Sequence, residues 1–452
     1  MHAKPQTLRE HSAAYASGAL SPVEAIERAL DGLASAPHAF TLVTADRARR
    51  EAEASADRWR NGRQRGALDG VPGAVKDLFD VAGTPTSAGS LVYRDDPVKE
   101  TDAPVVARLA KAGVCLLGKT NLTEFAFSGL GINPHFGTPP NAFETDEPRI
   151  PGGSSSGAAI AVARGLATVS LGTDTSGSVR IPAAMNGLVG FKPGPSRYNR
   201  TSVFPLSPTL DSIGILARCV DDVRLIDATL TGRGIGAHET AQGLDGLTVI
   251  SPEGMVNEEL DSAVAENRDA ALAAVEIAGA DVVRCRVGEL DAAMELINRH
   301  GSIAGGEAAQ VHRELLASES SRLIDPRILA RLRMAQDMRA SDLAALLEGR
   351  AGLKRSLQAG IGRRSLIAFP TVARTAPTIA EIETSEEAWF SQNALILRNT
   401  MIGNFLDMPG VTLPSGVDGN GLPTGMLFST TTGREASLLH AATGLEAALA
   451  HQ

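Results

Sequence analysis

Apolar residues along this chain recur with two periods, and the two periods alternate from one end to the other. Ser21-Pro22-Val23-Glu24 sets a carboxylate three residues after a hydroxyl and proline at the first helical position, which predicts a helix start. Beyond it Val23, Ile26, Ala29, Leu30 and Leu33 share one face at helical spacing. Phe40 to Thr44 is a short strand pattern, and Asp46 to Arg60, rich in Ala, Arg and Glu, reads as a surface helix. Ala103 to Ala112 is a helix pattern and 114–119 (VCLLGK) a buried strand, while Thr120 to Phe127 reads as a cap that opens a helix. Gly129 to Arg149 is a loop rich in Gly, Pro and Asn, of a length that often carries function. Val179 to Leu188 and 191–198 mix apolar and turn residues, and 202–218 predicts a loop and then a strand. Val220 to Leu230 is a helix ending at Gly232, 232–246 a polar Gly-rich break, and 247–251 a strand. From Glu258 to Gly349 helices dominate, interrupted by a strand at 281–287. The chain closes with a strand and proline-rich loop at 365–378, a helix at Ser385 to Thr400, two strands around Gly419-Asn420-Gly421, and a helix at Glu435 to Ala450. Strands alternate with helices to both ends, with no low-complexity linker and no fixed-period repeat. The predicted class is therefore α/β: a single unit over 1–452 with its core at 60–235, a helical insertion near 258–360 and closing strands and helix at 365–452.

The stretch Pro151 to Pro182 breaks this pattern in a way that points to chemistry. Two runs of Gly, Ser and Thr, at 152–157 and 172–178, flank the apolar segment 158–171. Ala158 to Arg164 suits a close-packed helix, and Thr168 to Leu171 a buried strand. One hydroxyl-rich loop thus opens a helix and a second follows a strand. Helix N-termini and glycine turns offer backbone N–H groups that suit an anion or an oxyanion. Serines and backbone amides together suggest acyl transfer, but this stretch holds no base.

Composition narrows the field. Hydrophobic residues make up 43% of 452, ample for a large core, whereas aromatics at 4% offer no stacking platform for nucleic acid or sugar. A net charge of -9 argues against a bulk nucleic-acid or anionic-membrane surface. Cys115, Cys219 and Cys285 are odd in number and far apart, so neither a zinc site nor a disulfide framework is expected. No signal-type apolar core and no 18-residue apolar run is found, so a cytoplasmic protein without a membrane partner is expected. At 67–83, Lys76 ends the apolar run Val71-Pro72-Gly73-Ala74-Val75. Taken on that segment alone, it reads as a lysine that snorkels to the surface.

Several blocks together carry a family resemblance: DGVPGAVKD at 69–77, GKTNLTEFA at 118–126, PGGSSSGAA at 151–159 and GTDTSGSVRIPAA at 172–184. GFKP at 190–193, VFPLSPTLDSIGILAR at 203–218, AFPT at 368–371 and GLPTGM at 421–426 extend it. In this order over nearly the whole chain, they resemble the amidase signature family of Ser–cis-Ser–Lys amidohydrolases. The resemblance implies a central mixed sheet covered by helices on both faces. It implies Ser178 as nucleophile, Ser154 as the bridging serine after a cis peptide, and Lys76 as base. Backbone N–H groups of Thr175, Ser176, Gly177 and Ser178 would form the oxyanion hole, with no metal or cofactor and a small-molecule amide as substrate. Ser155 and Thr173 would be supporting hydroxyls. Asp174 and Arg180 either hold a substrate group or, slightly favoured, form a buried pair that fixes the 172–180 turn.

That chemistry is sound from the residues. A serine hydroxyl needs a neighbour to take its proton, and lysine can do so only when neutral, which burial among apolar groups promotes. Ser154 can donate and accept at once, so it can relay. Two residues depart from the family pattern. Ser176 replaces a frequent glycine and is expected to narrow the acyl pocket, and Leu427 stands where a glutamine is expected.

Rival readings are weaker. Gly153 to Gly157 formally matches a GxSxG elbow with Ser155 as nucleophile and His440 as the late histidine, but no strand pattern precedes it. Within the family the alternative is the A-type subunit of a glutamine-dependent tRNA amidotransferase; outside it, a binding subunit without activity. An assembly of two identical chains, a homodimer, is admissible. Arg322, Arg331 and Arg333 could bind a carboxylate, although an exposed helical face explains each.

Overall fold

The computed structural model describes residues 7–143, 145–233 and 243–450. Eleven strands follow in chain order: β1 (Phe40–Val43), β2 (Pro72–Lys76), β3 (Cys115–Thr120), β4 (Val169–Asp174), β5 (Val189–Lys192), β6 (Ser212–Ala217), β7 (Thr248–Glu253), β8 (Asp281–Arg286), β9 (Ser365–Pro370), β10 (Gly410–Val417) and β11 (Pro423–Ser429). They form one mixed sheet in the order β1-β3-β2-β4-β6-β5-β10-β11-β9-β7-β8. Strands β3, β2 and β4 run parallel side by side, with Val75 opposite Leu171. Every residue of β2, β3, β4 and β6 is buried, as expected for strands covered on both faces.

The two faces read out the pleat. Val71 and Val75 join a large core with helices Pro104–Ala112, Val220–Thr231, Ser262–Ile277 and Glu435–Leu449. Ala74 points the other way, into an alanine-rich core with helices Pro22–Asp31, Ala45–Arg60 and Ser156–Ala163. Small residues dominate there because backbones approach closely. A Cβ on Gly157 would meet the carbonyl oxygen of Ala39 at 2.1 Å, so the helix can dock only with glycine at that position.

Most predicted elements form near their expected bounds, and the exceptions have identifiable causes. Thr120 to Phe127 does not open a helix; β3 runs on to Thr120 and only a 3-10 turn, Glu124–Ala126, follows. The reason is that its amides are used at long range. Asn121 N–H donates to Ala39 O, Thr123 N–H to Ser154 O and Phe125 N–H to Ala88 O. The mixed stretch at Val179 to Leu188 contains a short helix, Arg180–Met185, whose six residues are all buried, so no polar face marks it in the sequence. The structure adds a helix at Leu8–Ser17, where Thr7 and Glu10 close a capping box. Of the Gly-rich break at 232–246, residues 234–242 lie outside the described residues. Among the described residues, no helix is long and apolar enough to cross a membrane.

Candidate active site

Lys76 ends β2 and Thr173 and Asp174 end β4, so the carboxyl ends of two adjacent parallel strands deliver all three to one place. Lys76 is wholly buried, which corrects the surface reading of its segment. Its side chain shares the sheet face of Ala74, and that face is covered by the helix Ser156–Ala163 rather than by water. Nζ lies 2.7 Å from Ser154 Oγ and 3.0 Å from Thr173 Oγ1. Burial pushes its pKa down to about 7, against the opposing pull of the Asp174 and Asp211 carboxylates. Near neutral pH a large share of Lys76 is therefore uncharged, with a lone pair that can accept the proton of Ser154.

The Gly153–Ser154 peptide is cis. Ser154 is held from both sides: its carbonyl accepts from Thr123 N–H at 3.2 Å, and Gly153 N–H donates to Gly129 O at 2.7 Å. Ser155 N–H donates to Ser178 O at 3.1 Å, which ties the two Gly-Ser loops together. Ser155 Oγ donates to Thr173 O at 3.3 Å, whereas the next hydroxyl, Ser156, turns to Asn121 O. The 175–178 turn is tight. Gly177 sits at φ 127°, and a Cβ there would meet Thr400 Oγ1 at 2.1 Å.

Of the four amides expected to face an oxyanion, one is already engaged. Gly177 N–H donates to Asp174 Oδ1 at 2.9 Å, because Asp174 caps the turn with its side chain. The N–H groups of Thr175, Ser176 and Ser178 make no hydrogen bond among the described residues and so are available to a ligand. Three such donors can stabilise the negative charge of a tetrahedral intermediate.

Asp174 and Arg180 form a buried pair that fixes the turn. Arg180 Nε and Nη2 reach the two carboxylate oxygens at 3.0 and 2.9 Å, and both side chains are fully buried. Burial alone would raise the Asp174 carboxyl, but the guanidinium holds it well below the usual carboxylate range. Asn404 Nδ2 and the Val179 N–H add further donors. Arg180→Met would strand a buried carboxylate, and an unpaired buried charge costs about 3–5 kcal/mol. We expect a loss of stability of that size in chemical denaturation; a loss below about 1 kcal/mol, the worth of an exposed pair, would refute the structural role.

Sequence reasoning missed several supports. Asp211 receives Thr175 Oγ1 and the N–H groups of Leu206 and Ser207, and Thr400 Oγ1 donates to Ser176 O at 2.6 Å. Asp211 lies in the 203–218 block of the family resemblance, which was the one available signal. Ser176 is half-buried. Leu427 sits wholly buried in an apolar cluster beside Phe369, so a glutamine's hydrogen bonds are not missed there. Among the described residues no strand leads directly into the 153–157 glycine-serine run, which leaves the GxSxG elbow without its required strand. His440 is half-buried in the helix Glu435–Leu449. Arg322 and Arg333 are exposed as expected, but Arg331 is not; it folds onto Phe127. Among the described residues there is no cluster suited to hold a metal ion.

Comparison with known proteins places the chain in a family. A family model described as Amidase matches residues 22–439. A 2-amino-5-chloromuconic acid deaminase of Comamonas testosteroni is 35% identical over 458 positions, covering 99% of this chain and 97% of its own. The A-type subunit of a glutamyl-tRNA(Gln) amidotransferase of Anaeromyxobacter dehalogenans (strain 2CP-C) is 31% identical over 97% of this chain and 95% of its own. Among solved structures, a crystal structure of an amidase superposes with a TM-score of 0.86 at 30% identity, over 98% of this chain and 100% of the other.

Proposed function

The chain belongs to the amidase family, and from that premise we propose that this amidohydrolase cleaves its substrate through a serine acyl-enzyme built on Ser178, Ser154 and Lys76. The observation that carries the reading is the buried Lys76, partly neutral near pH 7, with Nζ 2.7 Å from Ser154 Oγ. In this reading Ser178 Oγ attacks the amide carbonyl while its proton passes through Ser154 to Lys76. The oxyanion rests on the N–H groups of Thr175, Ser176 and Ser178. The proton then returns along the same path to the leaving nitrogen, and the C–N bond breaks. Water, deprotonated by the same relay, attacks the acyl carbonyl and frees the acid and Ser178. No step needs a metal or a cofactor.

Ser154 is the point at which this relay differs from a merely polar pocket. Ser154→Ala is expected to lower kcat on the order of 100-fold or more, the usual range for a positioned acid–base group. Ser155→Ala and Ser156→Ala, whose hydroxyls face main-chain carbonyls, should lose far less. Equal, mild losses at all three would contradict a relay. The substrate itself is best sought by screening aliphatic, aryl, ureido and amino-acid amides for release of ammonia by the isolated protein. Turnover by the isolated protein would exclude a binding subunit without activity. The likeness to the A-type subunit of an amidotransferase supports a second reading, ammonia release to a partner, which co-purification with B- and C-type subunits would test.

A further inference from the structure

The helix Glu386–Phe405 passes through the core and sets three buried polar residues against the serine loops: Asn393, Thr400 and Asn404, spaced at whole turns along it. Each holds a different piece. Asn393 Oδ1 accepts Ser128 Oγ and Gly129 N–H, both at 2.9 Å, and Gly129 O in turn receives Gly153 N–H just before Ser154. Asn404 Nδ2 donates to Asp174 Oδ1 at 2.9 Å and to the Asp174 carbonyl at 3.1 Å. Thr400, between them, reaches the nucleophile turn itself, with Oγ1 2.6 Å from Ser176 O. The carbonyl of Leu397 is its other acceptor, at 3.2 Å. A hydroxyl has one proton to give, so the shorter contact takes it.

The carbonyl that Thr400 holds belongs to the peptide joining Ser176 to Gly177. In a trans peptide the C=O and N–H point opposite ways. Both ends of this one are held, the C=O by Thr400 and the N–H by Asp174 Oδ1 at 2.9 Å. The peptides on either side carry the Ser176 and Ser178 N–H groups, two of the three donors open to an oxyanion. Gly177, at φ 127°, leaves this turn a rotational freedom that a side chain would remove. No side chain fits there, because Thr400 Oγ1 fills the space a Cβ needs. The turn must therefore be stiffened from outside, and Thr400 and Asp174 do so from its two sides. Stiffness matters because oxyanion donors act only where the charge develops, and a misplacement of about 1 Å can cost about 10²-fold.

We propose that Thr400 is a positioning residue for the reaction: its hydroxyl locks the Ser176–Gly177 peptide, so that the Ser176 and Ser178 N–H groups stay aimed at the oxyanion. The inference rests on the acyl-enzyme reading, with Ser178 as nucleophile. The probe is diisopropyl fluorophosphate, whose phosphoryl oxygen takes the oxyanion's place when Ser178 attacks phosphorus and fluoride leaves. Its second-order labelling rate is measured against pH for the parent, Thr400→Val, Thr400→Ala and Thr400→Ser, with thermal melts beside it. Thr400→Val and Thr400→Ala should label about 30–100-fold more slowly at the plateau, somewhat less than the loss of a whole oxyanion donor. The midpoint of the pH rise should stay at the parent's, because Thr400 does not touch Lys76. Thr400→Ser, which keeps the hydroxyl, should stay within about threefold of the parent. On an amide found by the substrate screen, the loss should fall on kcat, with KM within about threefold. Valine crowds the site and alanine opens it, so equal losses in both trace the effect to the hydroxyl, and either variant alone suffices if the other does not fold. A merely structural role would lower the melting temperature of both and leave the folded protein labelling at the parent's rate; that result, or a Thr400→Ser as slow as Thr400→Ala, would overturn the proposal. Such a result with the adduct on Ser178 counts against Thr400 alone, whereas an adduct elsewhere in the parent overturns the serine mechanism and this proposal with it.

Discussion

Lys76→Arg is expected to leave a folded enzyme with almost no turnover, a loss of about 10³-fold or more. A guanidinium keeps its proton at any pH the fold survives, so it cannot take one from Ser154. Lys76→Ala should be as poor, because Ser154 would then have nowhere to pass the proton. In the parent enzyme the rate should rise with pH as Lys76 loses its proton and level off above about 7, the value to which burial pushes it. The sign is that of a base: protonated Lys76 below this range is inert, neutral Lys76 above it is active. Because a histidine titrates in nearly the same range, the variants carry the discrimination and the profile alone does not. His440→Ala should stay within a few fold of the parent. The measurement is a set of pH–rate profiles for the parent and the three variants, with folding checked by thermal melts. Near-parent turnover by Lys76→Arg, or none by His440→Ala, would overturn the role given to Lys76.

Ser178→Ala should cost even more, on the order of 10⁴-fold or greater, since no other group then forms the acyl bond. The fold should survive, because a small buried residue replaces another and the Ser178 carbonyl that receives Ser155 N–H is untouched. Intact-mass measurement after a serine-directed fluorophosphonate reads the point directly. The parent should gain one adduct and the Ala variant none. Stoichiometric labelling of the variant would move the nucleophile elsewhere, with Ser155 the first candidate to examine.

How much of this site was legible depended on how local each signal is. The order of strands and helices could be read because burial repeats with the period of each element, and the buried face of helix Pro22–Asp31, with Ile26 and Ala29, follows from that. The helix Arg180–Met185 escaped because it is buried on every side, so no polar residue marks its period. The 120–127 segment misled because its hydroxyl cap is real in sequence but its amides bond to residues far along the chain. The Asp174–Arg180 pair takes the more modest of its two expected roles. The same Asp174 withdraws Gly177 from the expected oxyanion donors, which no spacing could have announced.

By itself, the sequence determined the residue types and their order: the α/β alternation, the two glycine-serine loops and a lysine closing an apolar run. Those are properties of neighbours within about ten residues, and periodicity and turn chemistry report them. Only the tertiary structure decided what Lys76 is. Its own segment suits a surface lysine, and it becomes a buried amine because β4 pairs beside β2 and the helix Ser156–Ala163 closes over that face. The same holds for Arg331, one of three similar arginines until the fold turned it onto Phe127. Charge state and accessibility are set by what lies within a few ångströms in space. Those neighbours stand far off in the chain, Ser154 at 78 residues from Lys76 and Phe127 at 204 from Arg331, beyond the reach of any local pattern.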